Sequence, residues 1–320
     1  MTHGTAMNAS SPLQPRTIAV PETSDRAAST SRRSGRLNGL PIKRDLAVAY
    51  RFSLAAAVLL AAVSDGGLAL GRTGLYGPDP TLAARIVTST AGIVVPGFFA
   101  HDLFNPGVAL PVLLATLWAA RRGSLVGLLL WPGALLYVLY TYAQYLVGVP
   151  FGPLFLAHVL LVVLSAYATI ALLASLDGDD VRRRLAGAVP ARSIAGTLVV
   201  LALLTVGQDG GGALATALGG GNPTEPLARH IWTADLTISV PATFIGGVLL
   251  WRRASLGYVV AAGLLFANGL TPIALATILA LQPWLTGSAI DGATIVGLLV
   301  FAAVAFIPLW FFVRGARDST

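Results

Sequence analysis

Apolar residues in this chain come in long runs, separated by short polar and basic clusters. Eight runs, at about 50–71, 101–119, 124–147, 153–175, 193–217, 232–251, 254–281 and 290–313, each supply close to the twenty residues that a hydrocarbon core about 30 Å thick demands. Backbone N–H and C=O groups find no partners in lipid, so these runs are helices and an open sheet is excluded. The predicted fold is an all-α integral membrane protein, an eight-helix bundle. Pro111, Pro132, Pro241, Pro272 and Pro308 fall inside the runs, where neighbouring helices compensate for kinks.

The basic clusters orient the bundle. With the N-terminus inside, the cytoplasmic segments hold Arg121 and Arg122; Arg182, Arg183, Arg184 and Arg192; Arg252 and Arg253; and Arg314 and Arg317. The outer loops then hold only Arg72, Arg85 and Arg229, and such a bias sets orientation. A ninth crossing at 82–100 would invert everything after it and strand nearly all these arginines outside. The stretch 72–100 is therefore read as an outer loop, with a short re-entrant or interfacial piece near Ile86 to Phe99. An even number of crossings puts both termini in the cytoplasm.

Two stretches read alike. Asp102-Leu103 is followed sixteen residues after the aspartate by Trp118, then by Arg121-Arg122-Gly123-Ser124-Leu125. Asp235-Leu236 is followed at the same distance by Trp251, then by Arg252-Arg253-Ala254-Ser255-Leu256. The echo predicts a parallel repeat of four helices plus four, related by an axis along the membrane normal. It would place Asp102 on Asp235 and Trp118 on Trp251, with a two-residue gap at Ala119-Ala120. The competing explanation is convergence, because tryptophan and arginine recur at cytoplasmic helix ends for interfacial reasons alone.

Composition sharpens the class. The chain is 55% hydrophobic and 11% charged, against roughly 25% charged in a soluble domain. Its formal charge of +7 sits in clusters between apolar runs instead of on a groove-binding face, so no nucleic-acid partner is expected. Without cysteine, disulfides, thiolate metal sites and cysteine nucleophiles are excluded. Residues 1–46 are a different material, rich in Ser, Thr, Pro and Arg, and are expected to be a disordered basic cytoplasmic tail. Their end, Arg32, Arg33, Arg36, Lys43 and Arg44, forms a collar that is either a topology signal or a tether to anionic lipid, at about 1 kcal/mol per charge. The first membrane half is then 47–192, the second 193–315, and 316–320 a short tail. The expected location is the cell membrane, with the bilayer as partner; the sequence implies no cofactor and no oligomeric state.

Polar groups gather toward the predicted outer face. They are Asp65, His101, Asp102, Asn105, Tyr137, Tyr140, Gln144, Tyr145, His158, Asp235 and, deeper, Asn268. Ionisable residues within membrane helices are costly and mark functional sites. A pocket ringed by Asp65, Asp102, His158 and Asp235 would suit a cation or a proton relay, with His101, Asn105, Gln144 and Asn268 along the pathway. A plainer account competes. Asp102 and Asp235 lie about 24 Å from their tryptophans at 1.5 Å per residue, where each would open and cap a helix. Gly66-Gly67 would end the first helix at Asp65, and His158 would be a packing residue. The histidines and carboxylates match no metal motif, so any metal is unknown, and no catalytic residue emerges.

Asp177-Gly178-Asp179-Asp180 precedes Arg182-Arg183-Arg184 and reads as capping and pairing of a short helix. The Gly210–Gly212 and Gly219–Gly221 runs read as a flexible outer turn, since no P-loop Lys-Ser/Thr follows. The segment from Ala120 to Tyr140, ARRGSLVGLLLWPGALLYVLY, resembles a group of uncharacterised bacterial and archaeal multi-pass membrane proteins. The resemblance extends through Ser165-Ala166-Tyr167 and Leu250-Trp251-Arg252-Arg253. It implies the topology and no activity. The functional expectation is a transporter of a small solute, ion- or proton-coupled, with an outward-facing polar pocket. A membrane scaffold or sensor is the alternative, and an enzyme acting on a lipid comes third.

Overall fold

The computed structural model describes residues 1–2, 39–71, 94–149, 151–219, 225–286 and 289–318. Residues 1–38 and 39–320 form separate units, and the second carries the fold. The expected tail between residues 3 and 38, and the 72–93 part of the expected outer loop, lie outside the described residues.

Nine helices follow one another among the described residues: α1 Ala47–Gly71, α2 94–121, α3 Leu125–Gly148, α4 Phe155–Ser175, α5 Gly178–Leu185, α6 191–217, α7 225–251, α8 Ser255–Thr286 and α9 Gly292–Asp318. All but the short α5 are long and apolar enough to cross a membrane. This is a polytopic membrane protein. Exposed Val58, Leu160, Ile170, Ile245 and Ile307 cover its outside, a surface that only lipid solvates.

Contacts at the connections place one end of each crossing at a common face. Asp177 N–H donates to the Pro41 carbonyl, the Ser255 hydroxyl donates to Asp179, and Gly315 abuts Ala188. Gly123 and Ser124 share a pocket with Ala316 and Arg317. The helices therefore run alternately up and down. That face carries exposed Lys43, Arg44, Arg121, Arg122, Arg182, Arg183, Arg192, Arg252, Arg253, Arg314 and Arg317. The guanidinium of Arg122 lies 4.0 Å from the centre of the Trp118 ring, and that of Arg314 5.7 Å from Trp310, as amphipathic groups arrange at an interface. The short α5 lies here too. Asp177 caps it by accepting from the Asp179 and Asp180 N–H groups, and Arg184 pairs with Asp180 at 2.8 Å.

Two helix starts differ from the expectation. α2 begins at Val94 instead of 101, and α7 at Glu225 instead of 232. Pro96 and Pro226 sit in their first turns, where the missing N–H would be unpaired anyway. Residues 94–99, expected in a re-entrant piece, are the first turns of α2. α1 also continues through Gly66-Gly67 to Gly71, since a helix surrounded by helices and lipid tolerates glycine.

Local geometry recurs at a spacing of 130 residues. α2 widens into a π-helical turn at Asn105–Ala109 and α7 at Asp235–Ser239, each closed by a five-residue bond, Leu110 N–H to Asn105 O and Val240 N–H to Asp235 O. Pro111 and Pro241 follow directly, so the wider turn relieves the clash of a proline ring with the carbonyl four residues back. Each helix then ends in a tight turn whose left-handed residue is Gly123 (φ 86°) or Arg253 (φ 55°). Where α3 crosses α8, Gly133 meets Gly263; a Cβ on Gly133 would lie 2.2 Å from the Gly263 oxygen. This register pairs Asn105 with Asp235 and Arg121 with Trp251. The aspartate and tryptophan echo, at a spacing of 133, does not coincide with it.

Candidate binding cavity

At the end of the bundle away from the arginines, α2, α3, α7 and α8 enclose a cavity of about 180 Å³. α3 is the most buried crossing, and it presents Tyr137, Tyr140, Thr141 and Gln144 to the cavity, one helical face at spacings of three and four. α2 adds Phe98 and His101, and α7 adds His230 and Ile231. α8 adds Thr271, Ala274, Leu275, Ile278 and Leu279. The wall is mainly apolar.

Two buried polar atoms of residues in this wall, His101 Nδ1 and His230 Nδ1, have no hydrogen-bond partner. Thr141 is 1% exposed. Its hydroxyl adjoins that of Tyr137, which donates to Asn105 Oδ1 at 3.3 Å and keeps its lone pairs to accept. The His230 ring centre is 5.2 Å from that of Phe98, so α2 and α7 meet at the cavity mouth. A buried polar group without a partner costs about 1–3 kcal/mol.

Behind α3 lies a polar network that ties four helices together. Tyr145 Oη lies 2.7 Å from Asp102 Oδ1 and 3.0 Å from the Phe98 carbonyl. Asn105 Nδ2 donates to Tyr142 at 3.4 Å, and Tyr142 reaches Ser64 on α1 at 3.4 Å. His158 on α4, 2% exposed, packs against Tyr145 with ring centres 4.9 Å apart. On the opposite side of α3, the Asp235 carboxyl meets that of Asp209, and the Tyr140 hydroxyl adjoins Asp235 and Gln144. Asp209 and Asp235 come from the π-helical turns of α6 and α7.

Neither Asp102 nor Asp235 is a cap. Asp102 lies eight residues inside α2 and Asp235 ten inside α7, because both helices start a full two turns earlier than expected. The four residues expected to ring one pocket are divided. Asp102 and His158 share Tyr145, Asp235 pairs with Asp209, and Asp65 is exposed on α1. Of the other pathway candidates, His101 and Gln144 line the cavity and Asn105 supports it through Tyr137. Asn268 is a strut, donating to Thr243 Oγ1 at 2.8 Å and to the Leu264 carbonyl at 2.9 Å. Among the described residues, no three histidines or carboxylates are grouped as a metal would require.

His230, Asp209, Thr141 and Thr271 were not among the sequence candidates. Asp209 had a readable signal, an acid inside the apolar run 193–217, but its neighbours Gly210–Gly212 suggested a turn. They are helical. His230 fell outside a helix drawn from 232. No protein family's sequence profile matches the chain, and no curated protein or solved structure is detectably similar to it.

Proposed function

We propose that this protein is a carrier that holds a small solute in the cavity between α2, α3, α7 and α8 and opens it alternately to the two sides of the membrane. The observation that carries the reading is the pair of histidines, His101 and His230, in the wall of a cavity that is otherwise mainly apolar. The 130-residue recurrence supports it. We read α2–α3 and α7–α8 as duplicated units, parallel because both arginine-bearing turns lie at one face, with an axis through the Gly133–Gly263 contact. Thr141 and Thr271, 130 residues apart, both line the cavity, which puts the site at the repeat interface, as in carriers that rock one repeat against the other. The arginine face is read as cytoplasmic, in contact with anionic lipid, and the cavity as lying toward the outside of the cell membrane.

The absence of cysteine makes the test direct. Ala274 is 1% exposed and lines the cavity, so Ala274→Cys places a single small thiol in it. A membrane-impermeant thiol reagent should label that cysteine when added to either side of right-side-out or inverted vesicles. Labelling from one side only would make the cavity the pocket of a static receptor, the scaffold or sensor reading. Labelling from neither side contradicts a carrier.

A further inference from the structure

The two halves of the cavity wall differ in chemistry. Across the 130-residue register, His101 corresponds to Ile231, Tyr137 to Ala267, Tyr140 to Leu270 and Gln144 to Ala274. At each of these pairs the polar member is on α2 or α3, whereas Ala100 corresponds to His230 on α7. The α8 wall is aliphatic beyond Thr271, with Ala274, Leu275, Ile278 and Leu279. The wall is thus polar along α3 and at its two imidazoles and aliphatic along α8.

Size and charge narrow it further. An apolar cavity of roughly 150 Å³ admits benzene, so about 180 Å³ admits one ring or a short branched chain with a small head group. No Asp, Glu, Lys or Arg is among the described lining residues. The nearby carboxylates are turned to other partners, Asp102 to Tyr145 and Asp235 to Asp209. A full charge here would be desolvated without a counter-ion, which costs far more than a dipole. A neutral imidazole presents one donor and one acceptor nitrogen, so two imidazoles in the wall suit a group that both donates and accepts. Hydroxyls and carboxamides do so.

We propose that the solute is an uncharged, ring-sized amphiphile whose hydroxyl or amide head lies against His101, His230 and Gln144 and whose apolar body lies against α8. This rests on the cavity being the solute site. The probe is benzyl alcohol, compared with toluene, benzylammonium and benzoate at equal free concentration on the detergent-purified full chain, read as the shift in thermal unfolding. Benzyl alcohol should stabilise saturably, with toluene weaker by about threefold to tenfold for the lost hydrogen bond and both ions without effect. His101→Phe, which keeps a ring but lacks the nitrogens, should weaken benzyl alcohol and leave toluene unchanged. Ala274→Leu should fill the cavity and abolish the shift while unfolding cooperatively without ligand.

Binding of either ion more tightly than benzyl alcohol, equal binding of toluene, or a shift that survives Ala274→Leu would overturn the assignment. So would no shift with any probe. The Ala274→Cys labelling separates this failure from that of the carrier reading. Two-sided labelling without a benzyl alcohol shift removes only the solute class. A saturable shift with one-sided labelling removes only the carrier.

Discussion

Gly133→Ala tests the packing on which the cavity depends. The new methyl carbon would lie 2.2 Å from the Gly263 carbonyl oxygen, 2.7 Å from its Cα and 2.8 Å from its carbonyl carbon. These are backbone atoms, so no side-chain rotation relieves the overlap, and α3 and α8 must part by roughly 1 Å. A radial gap of that size forfeits up to about half of each dispersion contact along the crossing. Overpacking of this kind costs about 1–3 kcal/mol, and backbone meeting backbone lies at the upper end. We expect Gly133→Ala to lose about 3 kcal/mol. Gly263→Ala should lose less, because its nearest atom is Gly133 N at 2.8 Å. Gly196→Ala on α6 is the control. Its Cβ would meet only Trp251 at 3.8 Å, so it should be neutral or stabilising by up to about 1 kcal/mol from backbone entropy. Equilibrium unfolding in mild detergent, followed by far-ultraviolet ellipticity, measures all three. Equal stability of Gly133→Ala and Gly196→Ala would refute the close crossing.

Tyr145→Phe removes the hydroxyl that reaches Asp102 and should cost about 1–3 kcal/mol, while Asp102→Asn keeps an acceptor and should cost less; if Asp102 served only as a cap, Tyr145→Phe would be silent. The Ser255 hydroxyl, followed by the charges of Arg182, Arg183 and Lys43, holds the Asp179 carboxyl below its ordinary value of 3.8. Its contribution to stability is therefore present above that value and lost as pH falls through the lowered one. Ser255→Ala should flatten this acid dependence of the unfolding midpoint, and an unchanged profile would remove Ser255 as its main cause. Reporter fusions after Gly123, Asp180 and Ala254 should read cytoplasmic and one after Gly148 external; reversal at any two would invert the orientation.

Hydropathy located every crossing among the described residues, because a lipid-spanning helix must be apolar over its whole length and the signal is local. The helix starts were harder to read. Polar residues near the mouth, such as His101, Asp102 and His230, look like loop when scored by hydropathy, although Pro96 and Pro226 mark two first turns that enclose them. The aspartate and tryptophan echo and the recurring local geometry differ in register. Tryptophan and arginine follow the interface, whereas Pro111, Pro241, Gly133 and Gly263 follow the backbone, and the backbone sets the 130-residue spacing. His101 and Gln144 stood out as intramembrane polar groups, yet nothing local distinguishes them from Asn268, which is a strut. Which polar groups face one cavity depends on how four helices cross, and that information is spread over some 180 residues of chain.

An experimental map of the full chain in lipid nanodiscs with benzyl alcohol present tests the central claim most directly. The account predicts density for one small molecule between α2, α3, α7 and α8, its polar end within hydrogen-bonding distance of His101 or His230 and its body against Leu275 and Ile278. A cavity filled by the side chains of α8, or density with its polar end turned away from both imidazoles, would contradict it.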